Sequence, residues 1–238
     1  MDKNLLIIVF ILTVGAVLSV VTKKLTVTAG FTGWLIGVII FLGAGYAGVI
    51  LLVAFFVVGT FVTSIGLSSK ESLGIAERQK GRRTAGQVIA NGGVAALCSA
   101  AILLLPQHNV MLIIALAGSL AAASSDTASS ELGNVFGSKY YNILTLRKDI
   151  KGLDGVISLE GSLAGIGASA IIAVIYYLFY PGISNSAIIL VAGIIGNLAD
   201  SVLGATLERR NQLNNNTVNF LNTLTGAIAS GALFYIGF

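Results

Sequence analysis

Long apolar runs alternate with short polar stretches along the whole chain. After Met1 to Asn4, the first run reaches about Val21 and stops at Lys23-Lys24. Further runs cover Leu25 to Leu42, Tyr46 to Thr63, Ala85 to Leu105, Val110 to Ala123, Val156 to Tyr180, Ile183 to Ala199 and Phe220 to Phe238. Each approaches the roughly 20 residues that carry a helix across a bilayer. The pattern predicts an all-α polytopic transmembrane bundle of about eight spans, one integral membrane domain over residues 1–238. No small-x-small cleavage pattern precedes Lys23-Lys24, so the first run is read as a span rather than a leader. Tight turns are expected at Gly43 to Gly45, Pro106 to Asn109 and Tyr180 to Ser184. Three longer polar segments remain: Ser64 to Thr84, with a short interfacial helix expected at Glu71 to Gln79, then Ser124 to Gly155, then Asp200 to Asn219.

Charge orients this bundle. With the N-terminus outside, thirteen of the 14 Lys and Arg fall in inside segments, and only Lys3 lies outside. The three tight turns carry none, as the positive-inside rule requires. Both termini are therefore expected outside, and every carboxylate except Asp2 at the inner face. Any chemistry would face the cytoplasm of a cell membrane. Composition agrees: 55% of residues are hydrophobic and 10% charged, against about a quarter charged in soluble domains. The lone Cys98 excludes an internal disulfide and a cysteine metal cluster. The lone His108, in a turn, reads as a solvated residue. Basic residues spread over membrane loops, without an aromatic platform, give no support for nucleic-acid binding.

Polar residues recur at helical spacing where apolar runs begin or end. Arg83, Gln87 and Asn91 form one stripe. Ser158, Ser162, Gly165 and Ser169 form a second, with Glu160 beside it; Asn197, Asp200, Gly204 and Glu208 form a third. Asn215, Asn219 and Asn222 form a fourth, continuing to Gly226. Such stripes cannot face lipid without unmet hydrogen bonds, so they are expected to converge on one hydrated cavity. Asp126 and Asp200 each end an apolar run among small residues, where charge is costly and is kept for function. Simpler readings stand beside these. Basic loops follow from topology alone, and Ser162 and Ser169 are expected first as packing residues. Carboxylates and side-chain amides without His or Cys clusters suit a hard cation such as Mg²⁺. Neighbouring Lys and Arg suit phosphate groups. Together they suggest a nucleotide-dependent enzyme acting on a lipid. Soluble nucleotide motifs such as G-x-x-x-x-G-K-[ST] are absent.

Four motifs then appear in order: Gln87-Val-Ile-Ala-Asn91-Gly-Gly, Ser125-Asp126-Thr-Ala-Ser-Ser-Glu131-Leu-Gly133, Gly155-Val-Ile-Ser158-Leu-Glu160-Gly-Ser162-Leu-Ala-Gly165 and Asp200-Ser-Val-Leu-Gly204-Ala-Thr-Leu-Glu208. Together they resemble the integral membrane family that includes plant phytyl-phosphate kinase. More distantly, Asp126 to Gly137, the basic loop and Glu160-Gly-Ser162 resemble the CTP-using site of dolichol kinases and CDP-diacylglycerol synthases. The resemblance implies phosphoryl transfer from a nucleoside triphosphate, CTP foremost, to an isoprenyl monophosphate such as phytyl or geranylgeranyl phosphate. On that reading Asp126 and Asp200 are the catalytic metal ligands, with Glu131 and Glu208 as further ligands and Glu160 a lesser one. Lys148, Lys151, Arg82 and Arg83 would bind phosphates. Gln87, Asn91, Ser158, Glu160, Ser162, Asn197 and Asn219 would position the nucleotide or the acceptor. The lipid tail would enter among the spans from the inner leaflet, and an oligomer is left open. The alternatives are a transporter or flippase with a central polar cavity, and a cytidylyltransferase making a CDP-lipid.

Overall fold

The computed structural model describes residues 3–65 and 81–237. The helix expected at Glu71 to Gln79 lies outside the described residues, as do Lys70, Arg78 and Lys80. The described chain is almost entirely helical: α1 (Lys3–Val21), α2 (Val27–Ser64), α3 (Ala85–Leu104), α4 (Asn109–Phe136), α5 (Leu159–Phe179), α6 (Ile183–Leu203) and α7 (Asn215–Ile236). A short 3₁₀ turn, Pro106–His108, leads into α4, and a π turn, Gly204–Glu208, prolongs α6. Two-residue strands, Tyr141–Asn142 and Val156–Ile157, clip the α4–α5 loop as an antiparallel pair. Among the described residues, six of these helices are long and apolar enough to cross a membrane. The expected polytopic helical bundle is what forms.

The helix α2 covers two of the expected spans. It is interrupted at Gly45, with φ 62° and ψ −155°, inside the expected Gly43–Gly45 turn. That backbone region is open only to glycine. Two polar segments differ from expectation. Apolar content ends near Ala123, but α4 continues through Asp126 and Glu131 to Phe136. Ser, Thr, Asp and Gly here are weak helix formers, so packing against α5 carries the continuation, while the hydroxyls bond within the helix: Thr127 Oγ1 donates to the Ala123 carbonyl at 2.9 Å. Likewise α6 runs past Ala199 to Leu203, and α7 starts at Asn215 rather than Phe220. Its cap is the Asn214 side chain, which accepts from the Thr217 amide.

The helix α4 is the axis of the bundle, with α2, α3, α5, α6 and α7 all packed on it. Its segment Ala115–Ala123 is small-residue rich and buried all round, which lets neighbouring backbones approach closely. At Gly133 and Gly161, α4 and α5 nearly touch, so a Cβ on Gly161 would meet the Ser129 carbonyl at 2.6 Å. Among the described residues, the helix α1 packs mainly against α2.

Candidate functional site

At one end of the bundle the C-terminal halves of α4 and α6 meet the starts of α3 and α7 around a polar cavity of about 120 Å³. The α4 wall is Asp126, Thr127, Ser130 and Glu131; these positions fall on one helical face. The helix α6 contributes Asp200, and α7 contributes Asn215 and Asn219. The helix α3 and the residues before it contribute Gly81, Arg83, Gln87 and Asn91, and the end of α2 contributes Thr63. Asp126 and Asp200, 74 positions apart in sequence, face each other within hydrogen-bonding reach and are both half-buried. Two ionised carboxylates at that range repel strongly, and a shared proton or a cation relieves it.

Local structure holds this wall in place. Thr84 caps α3 in a reciprocal box with Gln87: the Thr84 amide donates to Gln87 Oε1 at 2.8 Å, and the Gln87 amide to Thr84 Oγ1 at 3.4 Å. Asn91 Nδ2 donates back to the Gln87 carbonyl at 3.0 Å. The Asn91 Oδ1 and one carboxylate oxygen of Asp200 (Oδ1) are buried acceptors with no hydrogen-bond partner among the described residues. Buried oxygens of this kind call for a donor or a cation. Every donor atom the walls offer a metal is oxygen, from carboxylate, amide or hydroxyl. That set fits Mg²⁺, which is typically held by one or two carboxylates plus substrate phosphates. Among the described residues no three acidic, His or Cys side chains come together as a metal cluster, so the Asp126–Asp200 pair is the acidic core.

A second cavity, of about 320 Å³ and almost wholly apolar, lies between α1, both halves of α2 and α3. Ile11, Leu12, Trp34, Leu52, Phe55 and Phe56 are among its walls. Arg83, Gln87 and Asn91 line both cavities. The Arg83 guanidinium lies over the Phe55 and Phe56 rings, 5.1 and 5.8 Å from their centroids, a cation–π arrangement that suits a cation at an apolar boundary.

The structure gathers some of the expected site residues and disperses others. Asp126, Asp200, Glu131, Arg83, Gln87, Asn91 and Asn219 converge on the polar cavity. Glu208 does not line it; the π turn shifts the register after Leu203, and Glu208 hydrogen-bonds to Asn215, which does. The stripe expected along α5 packs instead. Ser158 Oγ caps α5, accepting from the Gly161 amide at 3.1 Å, and Ser162 Oγ donates to the Ser158 carbonyl at 2.9 Å. Ser169 Oγ donates to the Leu190 carbonyl of α6 at 3.0 Å. Glu160 accepts from Ser138 Oγ at 2.6 Å, fastening the end of α4 to α5. Asn197 packs its amide against Gly165. Arg82 donates to the Leu25 carbonyl at 3.4 Å. Lys148 is exposed in the α4–α5 loop, and Lys151 sits 5.8 Å from the Tyr140 ring centroid; neither lines the cavity. That loop is docked on α6 by Arg209, which bonds Asp149 Oδ2 at 2.8 Å and the Asp154 carbonyl at 2.6 Å. Asp149 is held below the usual carboxylate range, first by the Ile150 amide and then by Arg209. Burial raises Asp154 against the pull of Arg209.

The cavity also contains residues that sequence reasoning did not single out as ligands: Thr63, Thr127, Ser130 and Asn215. For three of them a signal existed. Ser130 lies at i+4 from Asp126 with Thr127 beside it, and Asn215 leads its own stripe. Thr63, at the end of an apolar run, carried no such signal.

Fold and site together define a multi-pass helical membrane protein with a half-buried acidic pair at one end and an apolar chamber beside it. Residues 10–227 match the integral membrane protein family DUF92, and the chain belongs to that family. It is 36% identical to an uncharacterized membrane protein of Synechocystis over 89% of this chain and 84% of that protein. It is 38% identical to an uncharacterized membrane protein of Methanocaldococcus jannaschii over 84% of this chain and 82% of that one. Protein VTE6, chloroplastic, of Arabidopsis thaliana is 34% identical over 83% of this chain and 61% of its own length. The family resemblance carried by the four motifs is thus borne out. No solved structure matches the chain.

Proposed function

We propose that this protein is a membrane kinase that transfers a phosphoryl group from a nucleoside triphosphate, with CTP the expected donor, to an isoprenyl monophosphate. The observation that carries the reading is the shared wall: Arg83, Gln87 and Asn91 stand between an acidic polar cavity and a large apolar one. A ligand fitting both spaces has a charged head and a long apolar tail. Its phosphate would meet Arg83 and its tail would lie against Leu12, Trp34 and Leu52. Membership of a family whose motifs resemble those of phytyl-phosphate kinase supports the same acceptor.

In this reading Asp126 and Asp200 hold Mg²⁺, with Asn91 Oδ1, Glu131 and the hydroxyls of Thr127 and Ser130 around them. Bound there, the ion would screen phosphate charge and orient the donor. Arg83 holds the acceptor phosphate at the boundary between the cavities. An acceptor phosphate oxygen forms the new bond to the donor's γ-phosphorus, the bond to the β–γ bridging oxygen breaks, and the nucleoside diphosphate leaves. A phosphate monoester has its second pKa near ~6, so it is already an anionic nucleophile at neutral pH and needs no deprotonating base. The histidine is placed accordingly. His108 sits before α4, seventeen or more helical positions from Asp126, about 25 Å at ~1.5 Å per residue. The positive-inside rule supports a cytoplasmic orientation for this end of the bundle.

The test offers purified protein CTP, ATP, GTP and UTP with Mg²⁺ and phytyl or geranylgeranyl phosphate. The expected products are lipid diphosphate and nucleoside diphosphate in equal amounts. Pyrophosphate with a CDP-lipid would instead indicate nucleotidyl transfer. Solute uptake into proteoliposomes without nucleotide consumption would indicate a transporter.

A further inference from the structure

A third cavity, of about 80 Å³, opens beside the polar one and shares Thr63, Gly81 and Arg83 with it. Its other walls are Lys23, Lys24, Thr60 and Ser64. Three cations and three hydroxyls thus line one small space, and its described walls include no carboxylate. The cations are held there by backbone. The Arg83 amide donates to the Lys24 carbonyl at 2.9 Å, and the Thr26 amide to the Arg83 carbonyl at 3.1 Å, in a parallel bridge centred on Leu25 and Arg83. Two remote segments are thereby locked side by side with their charges together.

Lys23 adds a second, independent observation. The Lys24 amide donates to the Ser19 carbonyl at 2.9 Å and the Lys23 amide to the Val20 carbonyl at 3.0 Å. That is the paired closure of a helix end whose left-handed residue is ordinarily glycine. Here it is Lys23, at φ 59°. A lysine costs conformational energy at that position. Gathering like charges round one space adds a cost. An anion relieves the second cost and offsets the first.

The geometry points to the Lys23–Lys24–Arg83 cavity as a phosphate subsite, which takes a phosphate group next to the reacting centre. Thr60, Thr63 and Ser64 provide hydroxyl donors for its oxygens. Arg83, common to all three cavities, bridges this phosphate to the one transferred. The inference rests on the kinase reading for its chemistry, and on the cavity alone for its anion. The phosphate has two possible sources, the donor triphosphate or the prenyl phosphate.

The experiment compares the full-length wild type with Lys23→Gly, Lys24→Gln, Lys24→Arg and the Lys23→Gly/Lys24→Gln double variant. Lys23→Gly restores the residue ordinarily found at such a helix end, so the fold is kept while the charge is lost. In a first arm, thermal unfolding is followed against inorganic tripolyphosphate. The wild type is expected to be stabilised, and each neutral variant to need about tenfold more tripolyphosphate for the same shift, as loss of one charge-assisted contact implies. Lys24→Arg should respond like the wild type. In a second arm, the KM for nucleotide and for prenyl phosphate are measured separately. A rise of about tenfold in the nucleotide KM alone assigns the phosphate to the donor, and the same rise in the lipid KM alone assigns it to the acceptor. A double variant that matches the wild type in tripolyphosphate response and in both KM values overturns the subsite. A wild type that transfers no phosphoryl group ends the kinase reading, while the tripolyphosphate arm still decides the cavity.

Discussion

Two carboxylates in contact inside a membrane bundle are an expense that packing does not explain. The Asp126 and Asp200 side chains face each other while Asp200 Oδ1 and Asn91 Oδ1 stay without partners. A fold selected for stability alone would use apolar residues here. Asp126→Asn and Asp200→Asn keep shape and remove repulsion, so each should leave thermal unfolding unimpaired. Each should lower turnover by about 100-fold or more, the scale of losing electrostatic stabilisation in a dry site. Turnover within a few-fold of wild type in both variants would remove the pair from the reaction. This pair was legible in the sequence because carboxylates are rare at the ends of apolar runs. Its direct contact was not, since that depends on how α4 and α6 cross. Glu160 and Ser158 show the reverse error. They have the right chemistry and spacing, but Glu160 fastens the end of α4 to α5 through Ser138, and Ser158 caps α5 where Gly133 and Gly161 come close.

At the scale of elements, two features shape the site. The first is α2 with α1, which encloses the apolar chamber. Trp34 stands in it, its indole Nε1 donating to Thr13 Oγ1 at 3.1 Å and its ring stacked with Phe31 at 6.1 Å. Beyond Trp34 lies a further apolar space of about 250 Å³, whose walls share Ala16, Gly30 and Trp34 with the chamber. Trp34→Ala should join the two spaces and shift preference toward longer prenyl phosphates, read as the ratio of kcat/KM between acceptors of different length. An unchanged ratio would place the tail elsewhere. The second feature is the α4–α5 loop, pinned by Arg209. Asp149 is lowered in the folded protein, so its contribution to docking is present above the ordinary carboxylate pKa of about 4 and is lost as pH falls through its folded value. Asp154 is raised, so it opposes docking as pH rises past the same ordinary value. Amide exchange in this loop, measured relative to its intrinsic rate at each pH, should therefore speed up on acidification below about pH 4. In Asp149→Asn it should be faster already at neutral pH and respond less to acid. Helix positions were readable from apolar runs. The continuation of α4 to Phe136 was not, because polar composition concealed a helix that depends on close packing against α5. Nor was the π turn that keeps Glu208 off the cavity wall.

Over the whole molecule, the basic segments and the site fall at the same end of the bundle: Lys23, Lys24 and Arg83 line cavities there, and Arg209 secures the adjoining loop. The proposed orientation puts that end in the cytoplasm. In a Cys98→Ser background, Gln107→Cys should react with an impermeant maleimide on intact cells, and Thr145→Cys only after permeabilisation. The opposite result would invert the protein. The family and the helical bundle were within reach of sequence patterns. The three adjoining cavities were not, since each is built from helices remote in sequence, with Arg83 the residue they share. The central claim is that one oxygen-lined cavity binds a divalent cation beside a lipid phosphate. Mn²⁺ put in place of Mg²⁺ tests it most directly by electron paramagnetic resonance. The account predicts one bound Mn²⁺ per chain, ³¹P coupling when nucleotide and prenyl phosphate are present, and loss of the bound ion in both Asp126→Asn and Asp200→Asn. Unchanged Mn²⁺ binding in both variants, or binding without ³¹P coupling, would contradict it.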